Sequence, residues 1–442
     1  MTPIWFYLIH LAALCGGVAV LVFLRKRGVS WTARVMAGML MCLAMAVFVF
    51  RISEPPDLFS DFYKAYYPAG KAIMAGGGDA GLAATMQRGA GGFVNLPILA
   101  GLFAPFALMP PVASGYVLFL LGIVATLGAW FSLSRLAGLD REKSLVLLFL
   151  FAASGPLHNS LREGNTTHFI LLLLVFGLWV LRGNRDFAAG LIFGFAALIK
   201  LPLLLLGIYF FARGRWRVAM GGALVCGLAA VLSVALLGWD LHVFWYEHSI
   251  KPFAETPLAA FNVQSVQGFF ARLQFGGRHL LDWTPHALEP AVRIGSKLAA
   301  LLLLGLVAAV IFWPRKWRRG RTVAVPMQTM IEWEACMVVM LAMMISTVSW
   351  SHYYLWMLLP AAFFMGGAPP VPEARWLRTA GWVALVAALP PVIIVHFSNP
   401  LLGKIHGYLA VSHYLFSALL LLLVFLIADW RAAPTESDKK PS

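Results

Sequence analysis

Charge is scarce in this sequence, and acidic charge is scarcest. Of 442 residues, 12% are charged, and 34 lysines and arginines face only 19 aspartates and glutamates. Soluble domains carry about 25% charged residues. With 61% hydrophobic residues and a mean hydropathy of +0.81, the chain cannot hide its apolar surface by folding in water. It needs lipid as solvent. Cysteine is rare too: Cys15, Cys42, Cys226 and Cys336 all fall inside apolar stretches without metal-ligand spacing. They read as small hydrophobes and say nothing about redox compartment. Residues 1 to 24 lack a basic n-region and a small-residue cleavage site, so they read as a first helix, not a removable leader. The alternation of a transmembrane barrel strand is missing as well, which leaves helices as the spanning element.

The apolar runs supply those helices. Residues 4–24, 218–238, 294–313 and 407–428 are each long enough for a hydrocarbon core of about 30 Å, which takes about 20 helical residues. Further crossings are expected near 328–348, 353–367 and 379–397. The formal charge of +15 suggests nucleic acid only superficially. The basic residues cluster in short links, Arg25–Arg27, Arg213–Arg217 and Arg315–Arg321, as cytoplasmic loops do under the positive-inside rule; no nucleic-acid partner is expected.

Fixing those links inside makes residues 53–93 and 239–293 two large outer loops. The whole reads as one polytopic domain over 1–430, followed by a short polar cytoplasmic tail, 431–442. Between the first outer loop and the Arg213 link, three segments are short or broken: Phe93–Met109, Leu145–Ser154 and Asp186–Phe211. Three full crossings plus two dipping segments obey the charge rule there, giving about 11 to 13 helices. Broken segments are tolerated at membrane depth only against protein or a watery cavity, so a cavity opening outward is expected.

Several polar residues look out of place. Asp57 and Asp61 lie just past a helix end, followed by Tyr63, Lys64, Tyr66 and Tyr67. The tyrosines suit membrane anchors or a binding surface; an aspartate there caps a helix or accepts a proton from a hydroxyl nucleophile. A second knot runs from His158 through Arg162, Glu163 and Asn165 to His168. Lys200 is a lone cation in an apolar run. It either snorkels to an interface or meets a substrate, since a charge at depth is costly. Asn262, Gln264, Ser265 and Arg272 follow in the second outer loop, and Trp350 and His352 stand where two late helices meet. Carboxylates, cations, carboxamides and a histidine around one cavity suit an anionic, partly greasy substrate, phosphate above all.

From residue 53 to 360 these segments resemble, in order, the lipid-linked-sugar-dependent glycosyltransferases of the GT-C type, family 87, which includes polyprenyl-phosphate-mannose and pentose-using bacterial enzymes. The likeness rests on Asp61 to Gly70, on Phe93-Val-Asn95-Leu-Pro97 with Pro105, Pro110 and Pro111, and on Glu163-Gly164-Asn165. It continues through Ala189-Gly190 to Lys200-Leu-Pro202, Asn262-Val-Gln264-Ser265 to Arg272, and Ser349-Trp350-Ser351-His352. Asn95-Leu96 stands where the family shows Tyr-Pro, and Asn165 where it shows Gln.

The resemblance implies an all-α GT-C-like membrane bundle with its site facing the periplasm or exterior of a bacterial inner membrane. It implies a polyprenyl-phosphate sugar as donor, mannose or a pentose, and a lipid or glycan as acceptor. Asp61 is then the general base of an inverting transfer, and Lys200, His352, Arg162 and Arg272 hold the donor phosphate. Tyr66, Tyr67, Glu163, Asn165, Asn262, Gln264, Ser265 and Trp350 line the substrate. No cofactor is expected, although the pair Asp57 and Asp61 leaves room for a divalent ion. The rival reading is a transporter or flippase of a lipid-linked or anionic solute, with broken helices around a midplane site.

Overall fold

The computed structural model describes residues 4–52, 58–76, 78–313, 323–370, 374–392, 394–395 and 397–435. Asp57 and the basic Arg315–Arg321 segment lie outside them, as does the end of the tail from 436. Among the described residues the chain is mostly helical. Five helices are long and apolar enough to cross a membrane: Pro111–Leu136, Trp216–Leu237, Pro290–Phe312, Met327–Ile345 and His413–Trp430. A sixth candidate is the pair Arg141–Ala153 and Gly155–Arg162, bent by 52°. The bend falls where Ser154 caps the second helix through its Oγ and Pro156 occupies its first turn, a position where proline's missing N–H costs nothing.

The helices divide by what surrounds them. Trp216–Leu237 turns Leu224, Leu228, Val231 and Leu236 outward, the last 71% exposed; such a surface is stable only against lipid. Met327–Ile345 is the opposite, buried along nearly its whole length. Its methionines fill the irregular centre of the bundle, a use suited to an unbranched, adaptable side chain.

Two ends can be told apart. Along one end Arg182 pairs with buried Glu332, Arg213 holds buried Glu334 through two contacts of 2.8 and 2.9 Å, and Arg215 pairs with Asp186. Trp333 donates to Asp429 at this end, and Val323–Val325 pairs in parallel with Ala432–Pro434. The near part of the expected tail is thus a bound strand. At about 1.5 Å per residue, the Met327–Ile345 helix carries the chain roughly 20 Å from this basic end to Ser346.

The broken segment 186–212 is a hairpin. Helix Asp186–Ile199 leaves the basic end, turns at Lys200-Leu201-Pro202, and returns as Leu204–Ala212. The Arg215–Asp186 pair, 3.2 Å, ties the two feet together. Its outgoing limb lies against Trp216–Leu237 so closely that a Cβ on Gly190 would stand 2.1 Å from the Val218 carbonyl. This is the small-residue contact, Gly190-xxx-Gly194, by which helices pack in lipid. Lys200 therefore sits at a hairpin tip, about 20 Å from the basic end by the same rise.

Candidate active site

Backbone hydrogen bonds bring the segment Phe59–Phe62 onto the turn after the bent helix pair. Phe59 N–H donates to the Arg162 carbonyl at 2.6 Å, and the Asp61 and Phe62 N–H groups share the Glu163 carbonyl at 2.9 and 3.2 Å. The turn is closed by Gly164, at φ +66°, where a Cβ would lie 2.8 Å from that of Phe62. Only glycine fits both the left-handed backbone and the approach.

That closure sets Asp61 beside Asn165. The carboxamide Nδ2 donates to Asp61 Oδ2 at 2.6 Å. On its other side Asn165 Oδ1 accepts from Lys200 Nζ at 3.2 Å, from Thr167 Oγ1 at 2.9 Å and from the Thr166 N–H at 2.8 Å. The Lys200 ammonium also lies 4.6 Å from the centre of the Tyr353 ring, within cation–π range, and that ring is stacked on Trp356. Carboxylate, carboxamide and ammonium form a row, and the Lys200-Leu-Pro202 break supplies the ammonium from the hairpin tip.

The row lies on the wall of a cavity of about 1070 Å³. Of the residues expected at a site, Asp61, Tyr66, Arg162, Glu163, Asn165, Lys200, Asn262, Trp350 and His352 all line it. His352 is buried and its Nε2 has no partner among the described residues. Burial raises the Asp61 carboxyl above its ordinary value, while the Asn165 hydrogen bond and the charges of Lys200 and Lys64 pull it back. Glu163, bonded to Ser60 Oγ, is pushed up to about 7 by burial and by the neighbouring Asp61. A row of this kind can accept a proton at one end and hold an anion at the other.

Four expected residues stand elsewhere. Arg272 does not line the cavity. Its guanidinium is buried and engaged with the Ala260 and Val263 carbonyls, at 3.1 and 2.6 Å, and with Ser412 Oγ. Gln264 is fully buried and gives its Nε2 to the Phe261 and Val411 carbonyls. Ser265 caps the helix Val266–Phe275, and Tyr67 donates to the Met109 carbonyl. Conversely, Lys64, Asn95, His158, Asn159 and Tyr353 line the cavity without having been singled out for a role. For two of them a signal existed. Lys64 follows Asp61 by three residues and His158 precedes Arg162 by four, spacings that share a helix face.

The model for Glycosyltransferase family 87 matches residues 93–331, more than half the chain. The chain belongs to glycosyltransferase family 87. It is a membrane glycosyltransferase. It is 25% identical over 319 residues to a polyprenol-phosphate-mannose-dependent alpha-(1-2)-phosphatidylinositol pentamannoside mannosyltransferase of Mycolicibacterium smegmatis, covering 71% of this chain and 70% of that one. It is 28% identical over 291 residues to a polyprenol-phosphate-mannose-dependent alpha-(1-2)-phosphatidylinositol mannoside mannosyltransferase of Mycobacterium tuberculosis, covering 62% of each. No solved structure matches the chain.

Proposed function

We propose that this family 87 member moves a single sugar, mannose or a pentose, from a polyprenyl-phosphate donor to a hydroxyl of a lipid or glycan acceptor, with inversion. The names of the two relatives favour mannose. The observation that carries the reading is the row Asp61–Asn165–Lys200 on the wall of one large cavity. Asp61 is the general base: Asn165 occupies Oδ2, and Oδ1 takes the acceptor proton as the hydroxyl attacks the anomeric carbon. The bond from that carbon to the phosphate oxygen breaks with its electron pair, releasing polyprenyl phosphate. Lys200, His352 and Arg162 stabilise the phosphate. One positioned base supplies about 10² to 10⁴ in rate; alignment and phosphate electrostatics supply the rest.

The cavity faces away from the cytoplasm in this reading. Its support is the separation of the two ends: Arg182, Arg213 and Arg215 gather at one, where the positive-inside rule puts cytoplasmic loops, and the cavity lies at the other. We place the protein in a bacterial inner membrane on that basis, with the donor's lipid in the outer leaflet.

The test uses membranes containing the protein and radiolabelled polyprenyl-phosphate-mannose, with a pentose donor in parallel. A labelled product forms with one of them, and Asp61→Asn abolishes it while the folded protein stays in the membrane. Full activity of Asp61→Asn refutes the base assignment. Uptake of donor into sealed vesicles without a new glycosidic bond means transport instead.

A further inference from the structure

Outside the cavity, the second outer loop holds a cluster that the transfer reaction does not use. Asp282 Oδ2 accepts from His279 Nδ1 at 3.0 Å and from His286 Nε2 at 2.7 Å. The three ligand-capable atoms lie within 4.8 Å of one another. Phe275 packs against both imidazoles, 5.4 Å from each, and the Thr284 N–H fixes the second carboxylate oxygen at 2.9 Å. A hydrophobic floor and an Asx turn thus gather two ring nitrogens around one carboxylate oxygen, on a half-buried surface that solvent reaches.

We propose that His279, Asp282 and His286 bind a divalent transition-metal ion, zinc by preference. Two imidazoles and one carboxylate are a nitrogen-rich set that suits zinc and disfavours magnesium and calcium, which take oxygen ligands. Zinc bonds of about 2.0–2.1 Å in tetrahedral geometry put ligand atoms roughly 3.3 Å apart. The observed 3.0 and 2.7 Å open by about 0.3 and 0.6 Å, and the two ring nitrogens, within 4.8 Å of each other, settle to the same spacing. On loading, each ring nitrogen that now donates to Asp282 turns its lone pair to the metal, and its N–H moves to the other ring nitrogen. Three protein ligands leave a position for water.

The site also has a consequence for the cavity. Trp283, next to Asp282, lines the cavity and donates to Asn262 Oδ1 at 3.0 Å. The Leu280 carbonyl accepts from the Phe261 N–H at 2.9 Å. A metal across residues 279–286 clips the loop that carries this part of the rim.

The experiment is done on purified full-length protein, stripped with EDTA, dialysed against zinc chloride and passed through gel filtration. It retains about one zinc per chain, and cobalt in place of zinc gives the visible absorption of a low-coordinate nitrogen-ligated site. His279→Ala and His286→Ala lose the metal; His248→Ala, at an exposed histidine of the same loop, keeps it. Zinc raises the melting temperature of the parent and leaves that of the double alanine variant unmoved. Absence of retained metal and of a cobalt spectrum in the parent overturns the proposal, even if the variants fold poorly. Equal retention by the parent and both single variants overturns it too. None of these readouts requires glycosyl transfer, so the result is independent of the proposed reaction.

Discussion

Replacing Asn165 with leucine removes the centre of the row while keeping the branched shape of its side chain. In the parent, the carboxamide gives Asp61 a 2.6 Å hydrogen bond and accepts one from Lys200 at 3.2 Å. A hydrogen bond to a charged group contributes about 1.5–3 kcal/mol, which at 1.36 kcal/mol per decade is a loss of about 12- to 160-fold in rate. The direction with pH follows from the carboxyl itself. Burial raises Asp61, and the Asn165 N–H is the largest influence pulling it down. Without that donor the carboxyl rises further, and a base works only when deprotonated, so the acidic limb of the rate profile moves to higher pH. The assay is kcat and KM for a polyprenyl-phosphate sugar across pH. Asn165 acts on the base through Asp61 and also holds Lys200, so kcat falls more than KM for the donor rises, and activity recovers in part at high pH. An acidic limb that stays in place, or a loss confined to KM, refutes the reasoning.

Lys200→Met removes the ammonium at the hairpin tip and weakens donor phosphate binding, so kcat/KM falls by about 10²-fold or more, whereas Lys200→Arg retains part of it. For Glu163, the folded chain holds a proton up to about 7 that an unfolded glutamate, at 4.5, has already released. Its contribution to stability is therefore full below 4.5 and lost as pH rises to about 7, and Glu163→Gln flattens the melting temperature across that window. Arg272→Met leaves the Val263 carbonyl buried without its guanidinium donor, at about 1–3 kcal/mol, while the Ala260 carbonyl keeps the Val263 N–H. It lowers the melting temperature and the yield of folded protein, while the pH profile of whatever folds stays that of the parent.

Much of the architecture is legible because lipid imposes a crude code. Length and hydropathy alone mark the spans near 218–238, 294–313, 328–348 and 407–428, where the helices Trp216–Leu237, Pro290–Phe312, Met327–Ile345 and His413–Trp430 stand, whereas the crossings expected near 353–367 and 379–397 hold only the shorter helices Leu358–Gly366 and Arg375–Ala387. The breaks are legible for the same reason: Pro156 and Pro202 interrupt apolar runs too short to cross, and the structure bends or reverses there. What hydropathy cannot tell is which neighbour a polar side chain will meet. Asn165 reads as a substrate contact; the sequence does not reveal that its carboxamide also joins Asp61 to Lys200 and accepts from the Thr166 N–H and the Thr167 hydroxyl. That arrangement depends on Gly164 closing a turn against Phe62, a contact between residues about 100 positions apart.

Lys200 and Arg272 show where the limit lies. Both are lone cations in apolar surroundings, both are buried, and from the sequence both are candidates for a phosphate. A buried charge signals cost, and the cost can be met by protein or by ligand. For Arg272 the protein meets it: two carbonyls and a serine hydroxyl take Nε and both terminal nitrogens. Those groups cannot turn to a substrate without orphaning the loop they hold. Lys200 has three N–H donors and, among the described residues, one hydrogen-bond acceptor and one aromatic face. Its remaining donors are free to meet an anion in the cavity. The count of acceptors around each cation separates scaffold from site, and that count is a property of the fold, set by segments far apart in the chain.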